Sequence, residues 1–322
     1  MHVAKIPDIT GVPTPPKLPL SGKIVYTVAK FGWSLTSFSV INLAIYFYMP
    51  PEGQSAGIFP ALIFQGSILG IMTVIGFSNF IGRLFDSITD PVIASMSDRS
   101  TSPLGRRTVF MAVSVLPFSV FSVLVFTPPI STVSIVNSIW VVTTILLFYF
   151  FMTMYVIPYE SLLPEIGHTA KERLDLCTAT SFAWALGFGV GQAVHPIQGF
   201  FERSGMESVA SFRITVTIFS GIGFICMLLP VLLLNEKKYS GERVSNEGTI
   251  AAVVAAFKNR NFLAVSNIIF PSLLLLGRSV ENPLGVQFTG IVALVFSVIG
   301  YQLLRKYKEE EINQILLTVE TE

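Results

Sequence analysis

Two aspartates, Asp86 and Asp90, lie at the end of a long apolar segment, where carboxylates are rare. One carboxylate at the centre of a membrane-spanning helix costs about 2.5–3.5 kcal/mol on insertion scales. The i, i+4 spacing places both side chains on one helical face, with Cβ atoms about 5–6 Å apart, so their charges repel. Because a bound cation or a proton would relieve that repulsion, the pair predicts a cation site. The alternative is a structural pair at the membrane edge, held by Arg83 and Arg99.

The composition indicates a protein that crosses a membrane several times. Of the 322 residues, 52% are hydrophobic and 13% are charged, and the mean hydropathy is +0.66. A soluble domain carries about 25% charged residues. The apolar runs are continuous over about 20 residues and do not alternate with period two, which favours helices over a barrel. We therefore expect an all-α integral membrane protein.

Apolar runs and basic loops predict the order of the spans. Six runs should form an N-terminal bundle, at about 23–48, 66–97, 108–127, 135–163, 176–198 and 213–234. Two more follow at about 261–277 and 284–304. Lysine and arginine concentrate in alternate loops, which places those loops and both termini in the cytosol of a cell-membrane protein. The expected domains are an arm at 1–21, the bundle at 22–234, a cytosolic linker at 235–260, two further helices at 261–305 and a tail at 306–322.

The sequence contains no motif that is typical of another class of function. No nucleophile–base pair or phosphate loop is visible, and the three histidines lack the spacing of metal ligands, so we expect neither an enzyme nor a cofactor or metal site. A net charge of +1 gives no indication of nucleic-acid binding. Gly187-x-Gly189-x-Gly191 lies within an apolar helix with no preceding strand, so it predicts tight helix packing and not a nucleotide loop.

The stretch that contains the two aspartates resembles a known transporter family. Its pattern is D-x-x-x-D-P from Asp86 to Pro91, then D-R at 98–99 and G-R-R at 105–107. This pattern is similar to the second helix and following loop of the glycoside–pentoside–hexuronide:cation symporters, a branch of the major facilitator superfamily. The resemblance implies a major-facilitator-like bundle and secondary transport of a small polar solute, a sugar or glycoside, coupled to Na⁺ or H⁺.

The resemblance also implies a cation site. In the family, the two aspartates of the second helix take part in binding the coupling cation, and they match Asp86 and Asp90. Thr153 falls on a position whose hydroxyl contributes to this site in sodium-using members, so we expect the three side chains to converge between the second and fourth spans. These hard oxygen donors suit Na⁺. Val156 replaces a carboxylate of the sodium-using relatives, so a shared proton is the alternative.

The family's sugar contacts are not retained. The candidates for a solute cavity are Trp33, Ser34, Tyr159, Glu160 and Thr180. Trp33 and Ser34 stand where melibiose-type carriers have a Lys-Asp pair, Glu160 stands for a tryptophan and Thr180 for an arginine. The melibiose-type sugar site therefore does not carry over. Glu160 either faces the central cavity or pairs with an arginine near the cytosolic end.

A second charged group should lie at the cytosolic ends of the helices. Asp98, Arg99, Arg106 and Arg107 match the superfamily's loop between its second and third helices. The resemblance implies a charge network that latches the helices in one conformation and breaks in the other. The alternative is positive charge that only sets the topology.

The resemblance leaves part of the family fold unmatched. The family has twelve helices in two six-helix halves; the first six match this chain, and much of the second half has no counterpart. Alternating access, in which two bundles rock around a central cavity, needs a second bundle, which a homodimer could supply. We therefore expect a cation:solute symporter in a lipid bilayer; the alternative is a truncated, non-transporting remnant or scaffold of the same family.

Overall fold

The computed structural model describes residues 16–49, 59–66 and 73–240, and these residues contain helices and no strand. They belong to the first of two compact units, Met1–Asn246 and Glu247–Glu322. The long helices are α1 (Leu20–Tyr48), α2 (Val74–Arg99), α3 (Thr108–Leu124), α4 (Ile135–Ile166), α5 (Ala170–Gly191) and α7 (Ser208–Leu233). The short ones are α6 (Val194–Arg203) and α8 (Glu236–Tyr239).

Each of the six spans predicted for the bundle has a helix in the structure, and the largest differences are at the start of the second span and at both ends of the fifth. α2 begins at Val74 because the hydroxyl of Thr73 accepts a hydrogen bond from the backbone of Gly76 at 3.2 Å. The predicted fifth span, 176–198, is wrong at both ends, since α5 begins at Ala170 and a break after Gly191 separates it from α6. A capping box of Thr169 and Glu172 sets this start, and its T-x-x-E signature is present in the sequence.

Several predictions concern residues outside the described ranges. These are most of the arm (1–15), the remainder of the linker after residue 240, the two further spans at 261–277 and 284–304, and the tail.

The six long helices pack in a continuous order of neighbours. α2 packs on α4, α4 on α3, α3 on α7, α7 on α1, and α1 on α5. At the end of the bundle opposite the α2–α3 loop, the rings of Phe47, Phe59, Phe126 and Phe212 contact one another with centroids 5.0–5.5 Å apart. This order brings α1, α2, α4 and α5, which carry the predicted site residues, into one bundle.

Two glycines of α5 permit its close approach to α1. A Cβ at Gly187 would lie 2.7 Å from the carbonyl oxygen of Phe31, and one at Gly191 would lie 2.4 Å from the ring of Phe38. A Cβ at Gly189 would meet nothing within 4 Å. The predicted role in tight packing is thus confirmed for Gly187 and Gly191 and wrong for Gly189.

Length and composition show which helices could cross a membrane by themselves. Among the described residues, α1, α4 and α7 are long and apolar enough, and α3 is a shorter apolar helix. α2 and α5 carry more charge, including the acidic pair of α2. The all-helical architecture and these apolar helices confirm the predicted class, an all-α integral membrane protein.

Candidate cation and solute site

The two aspartates of α2 and the threonine of α4 converge. The Oγ1 atom of Thr153 lies 3.3 Å from Oδ1 of Asp86 and 3.1 Å from Oδ1 of Asp90. The two carboxylate oxygens are therefore no farther apart than the sum of these distances, within the about 6–7 Å expected from i, i+4 geometry. The expected convergence between α2 and α4 is confirmed by these distances, whereas the binding of a cation stays a prediction.

Close contact between α2 and α4 sets this geometry. Gly82, one turn before Asp86, lies directly against the ring of Tyr149, and a Cβ at Gly82 would be 2.7 Å from that ring. Tyr149 in turn lies one turn before Thr153 on α4, so the aligned turns of the two helices bring the hydroxyl to the carboxylates.

The three side chains have too few protons for the contacts that they make. A threonine hydroxyl carries one hydrogen, so Thr153 can donate to only one of the two carboxylates at a time. The second short contact between oxygens is repulsive unless a carboxyl proton or a cation lies there. Asp86 is only 9% exposed, which makes an uncompensated charge there costly.

Arg83 compensates the carboxylates only in part. Its guanidinium lies 3.9 Å from Oδ2 of Asp86, not from the Oδ1 atom that Thr153 contacts, and it lies over the ring of Tyr149 at 5.6 Å. Among the described residues, no basic group is within the 4.0 Å of an ion pair to Asp90. Arg83 is therefore within ion-pair distance of Asp86 but not of Asp90, and the structural alternative, a pair held by Arg83 and Arg99, stays a prediction.

Glu160 forms an ion pair that the sequence analysis did not predict. Its partner is Lys30 of α1, and the ammonium of Lys30 also lies 4.0 Å from the ring centroid of Trp33. The side chain of Glu160 is 41% exposed, whereas that of Lys30 is 13% exposed. Of the two alternatives for Glu160, the arginine partner is thus wrong, and a position facing the central cavity stays a prediction. A lysine within an apolar helix is a signal of function that could have identified Lys30.

Three of the five predicted cavity residues lie inside helix contacts. Tyr159 stacks on Tyr26 at 4.3 Å, and each hydroxyl donates to the other residue's carbonyl oxygen, at 2.7 and 2.8 Å. Ser34 donates to the carbonyl of Trp184 across the contact of α1 with α5, and Thr180 donates to carbonyls of its own helix. Since all three side chains are buried, they line no open cavity among the described residues, which corrects the prediction.

Three of the four predicted latch residues, Asp98, Arg106 and Arg107, form a network at one end of the bundle. Arg107 pairs with Asp98 at 2.7 Å and with Glu165 at 2.9 Å. Arg106 also pairs with Glu165, at the end of α4, while Arg99 is the last residue of α2. The network thus joins the end of α2, the start of α3 and the end of α4. Glu165 was not among the predicted latch residues, and a change of these contacts between conformations stays a prediction.

Glu236, at the start of the predicted linker, packs against the same network. It is 2% exposed, and its carboxylate accepts hydrogen bonds from the backbone of Arg107 and Thr108 at 3.1 and 2.9 Å and from the Thr108 hydroxyl at 2.8 Å. A carboxylate at a helix N-terminus is favoured by the helix dipole. Gly105, with φ 120°, leaves room for it, since a Cβ there would be 2.3 Å from Oε2 of Glu236. The first residues of the predicted linker are therefore part of the bundle.

Replacing Glu236 with alanine is expected to lower the unfolding temperature by several degrees. The change leaves two buried backbone N–H groups at the start of α3 without an acceptor, at about 1–3 kcal/mol for each unsatisfied group. Thermal unfolding in detergent measures the effect. Glu207→Ala is the matched control, because Glu207 is exposed and its side chain makes no capping bond to α7. Equal shifts in the two variants would contradict the assigned role.

The packed helices, three of which are long and apolar enough to cross a membrane, define a polytopic helical membrane protein. The chain belongs to the MFS/sugar transport protein family, whose model matches residues 30–277. This match, together with symporter-named relatives, confirms the resemblance to the glycoside–pentoside–hexuronide:cation symporters.

Three relatives illustrate the similarity. An uncharacterized symporter of Synechocystis sp. is 29% identical over 211 residues, which cover 61% of this chain and 36% of the relative. The isoprimeverose transporter of Lactiplantibacillus pentosus is 22% identical over 68% of this chain and 43% of its own length. A putative glycoside/cation symporter of Escherichia coli is 25% identical over 70% of this chain and 45% of its own. The chain thus spans less than half the length of each.

Proposed function

We propose that this chain acts in cation-coupled symport of a small polar solute across the cell membrane. The observation that carries the proposal is the convergence of Asp86, Asp90 and Thr153 between two helices of a membrane bundle. Two carboxylates and one hydroxyl, with Arg83 as the one basic group at ion-pair distance among the described residues, leave a net negative site that a monovalent cation or a proton neutralises. Na⁺ or H⁺ is therefore the proposed coupling ion.

The solute is proposed to be a sugar or a glycoside. Relatives that carry such substrates in their names support this class, namely an isoprimeverose transporter and a putative glycoside/cation symporter. In this chain, the ion pair of Lys30 and Glu160 beside Trp33 replaces the contacts of melibiose-type carriers. It offers charged donors and acceptors to hydroxyl groups, while the indole provides an apolar face.

Transport in this family proceeds by alternating access, which we extend to this chain. Two bundles rock around one cavity, and a homodimer could supply a second copy of the bundle described above. Basic residues at the end that carries Arg106 and Arg107 favour a cytosolic position for that end and for both termini. No observation on the described residues favours the non-transporting alternative.

Reconstitution tests the proposal. The full chain in liposomes is expected to accumulate at least one radiolabelled solute from a panel of pentosides, glycosides and hexoses under an inward Na⁺ or proton gradient. Accumulation should stop when an ionophore dissipates the gradient, because the cation supplies the driving force. Protein-free liposomes are the control. If no solute moves under either gradient, the chain is not a symporter by itself, and the remnant or scaffold alternative holds.

A further inference from the structure

A groove with a volume of about 350 Å³ lies between α3 and α7. α3 contributes Val120, Val123 and Leu124 from its last two turns, and α7 contributes Thr217, Gly221 and Phe224 from its middle. Because α3 begins at the network of Arg106 and Arg107, the groove lies toward the other end of the bundle. It is separate from the site between α2 and α4.

The serine and threonine hydroxyls that line the groove donate their hydrogens to acceptors within α3 and α7 themselves. Ser119 donates to the carbonyl of Val115 at 3.0 Å, Thr217 donates to the carbonyl of Arg213 at 2.7 Å, and Ser220 is bonded to Ser122 at 2.7 Å. Ser122 itself donates to the Ser119 carbonyl, so the hydrogen between the two serines comes from Ser220. A polar ligand would therefore find no free donor here, and an apolar occupant is favoured.

The guanidinium of Arg213 belongs to the helical turn that adjoins Thr217, a residue of the groove wall. Arg213 is one turn before Thr217 on the same face of α7, and its Nε donates to the carbonyl of Phe126 beyond the end of α3 at 2.8 Å. This bond holds the guanidinium between the ends of the two helices that form the groove. Among the residues that the structure describes, Arg213 makes no ion pair with a carboxylate, and its side chain is half-buried.

The dimensions match one leaflet of a bilayer. From Arg213 to Phe224 the helix advances 11 residues, which corresponds to about 16 Å at about 1.5 Å per residue. The hydrocarbon core of a bilayer is about 30 Å thick, so one leaflet supplies acyl chains about 15 Å deep. A charged mouth and an apolar groove of this length fit a phosphate headgroup and one acyl chain.

We infer that this groove binds an anionic phospholipid, with one acyl chain between α3 and α7 and its phosphate at Arg213. A guanidinium binds phosphate oxygens with two parallel hydrogen bonds, and the bond of Nε to Phe126 orients it for this contact. Gly221 leaves the groove open, since a Cβ there meets nothing within 4 Å. The inference does not depend on the proposed transport function.

Lipid retention tests this site. The full chain is incorporated into nanodiscs of equal parts phosphatidylcholine and phosphatidylglycerol, extracted, and analysed by native mass spectrometry. The wild type should retain one phosphatidylglycerol in about fivefold preference over phosphatidylcholine, as expected for one basic residue near anionic lipid. Arg213→Gln should bind both lipids equally. Gly221→Leu should retain neither, because its side chain fills the groove.

The control is Gly189→Leu on α5, which introduces the same side chain at another open glycine and should behave as the wild type. Equal retention of both lipids by the wild type would overturn the inference. So would an unchanged preference in Arg213→Gln, a variant that decides the question by itself if Gly221→Leu does not fold.

Discussion

Asp90→Asn is expected to reduce cation-driven solute uptake to the level of protein-free liposomes. Asparagine has nearly the same shape as aspartate, so α2 should still pack on α4. It can neither hold an exchangeable carboxyl proton nor neutralise a bound cation, so the site with Asp86 and Thr153 loses the charge that couples the gradient to the solute. Insertion and folding should be unaffected, because Asp90 makes no ion pair within the described residues.

Uptake into proteoliposomes under a Na⁺ or proton gradient measures this effect, with the thermal unfolding temperature as a check of folding. Asp175→Asn is the matched control, since Asp175 is exposed on α5, and it should transport as the wild type does. Thr153→Ser should retain uptake because it keeps the hydroxyl, whereas Thr153→Val should lose most of it. Full gradient-driven uptake by Asp90→Asn would disprove the cation assignment.

Gly223→Ala is expected to destabilise the bundle strongly. A Cβ at Gly223 would lie 2.0 Å from Oγ1 of Thr36 and 2.9 Å from the carbonyl oxygen of Gly32, both on α1. The Thr36 hydroxyl is bonded to that carbonyl at 3.0 Å, so rotating it away breaks a bond, and the backbone of Gly32 can move only with α1. Overpacking of this kind typically costs about 1–3 kcal/mol.

Thermal unfolding of purified variants in one detergent measures the cost. The control is Gly221→Ala, two residues earlier on the same helix, where a Cβ meets nothing within 4 Å. Alanine raises helix propensity by about 1 kcal/mol over glycine at both positions. The difference between the variants therefore isolates the contact with α1. If both unfold at the same temperature, α1 and α7 do not approach as closely as the structure has them.

Structural features that depend only on residues close to one another in the sequence could be predicted from the sequence. Continuous apolar runs predict the six long helices because each backbone hydrogen bond of a helix joins nearby residues. The spacing of Asp86 and Asp90 likewise predicts their common face, since a helix repeats about every 3.6 residues. The T-x-x-E signature of α5 is also local, so its true start could have been predicted.

Only the tertiary structure decided which residues meet across helices. Lys30 and Glu160 are separated by 130 residues, and Arg107 and Glu236 by 129. Such pairs depend on the rotation and axial position of each helix, which packing sets and no local pattern encodes. Gly32 and Gly223 bring α1 against α7 in this way. The same packing buries Tyr159 against Tyr26, although from its position in the chain it could equally have faced a cavity.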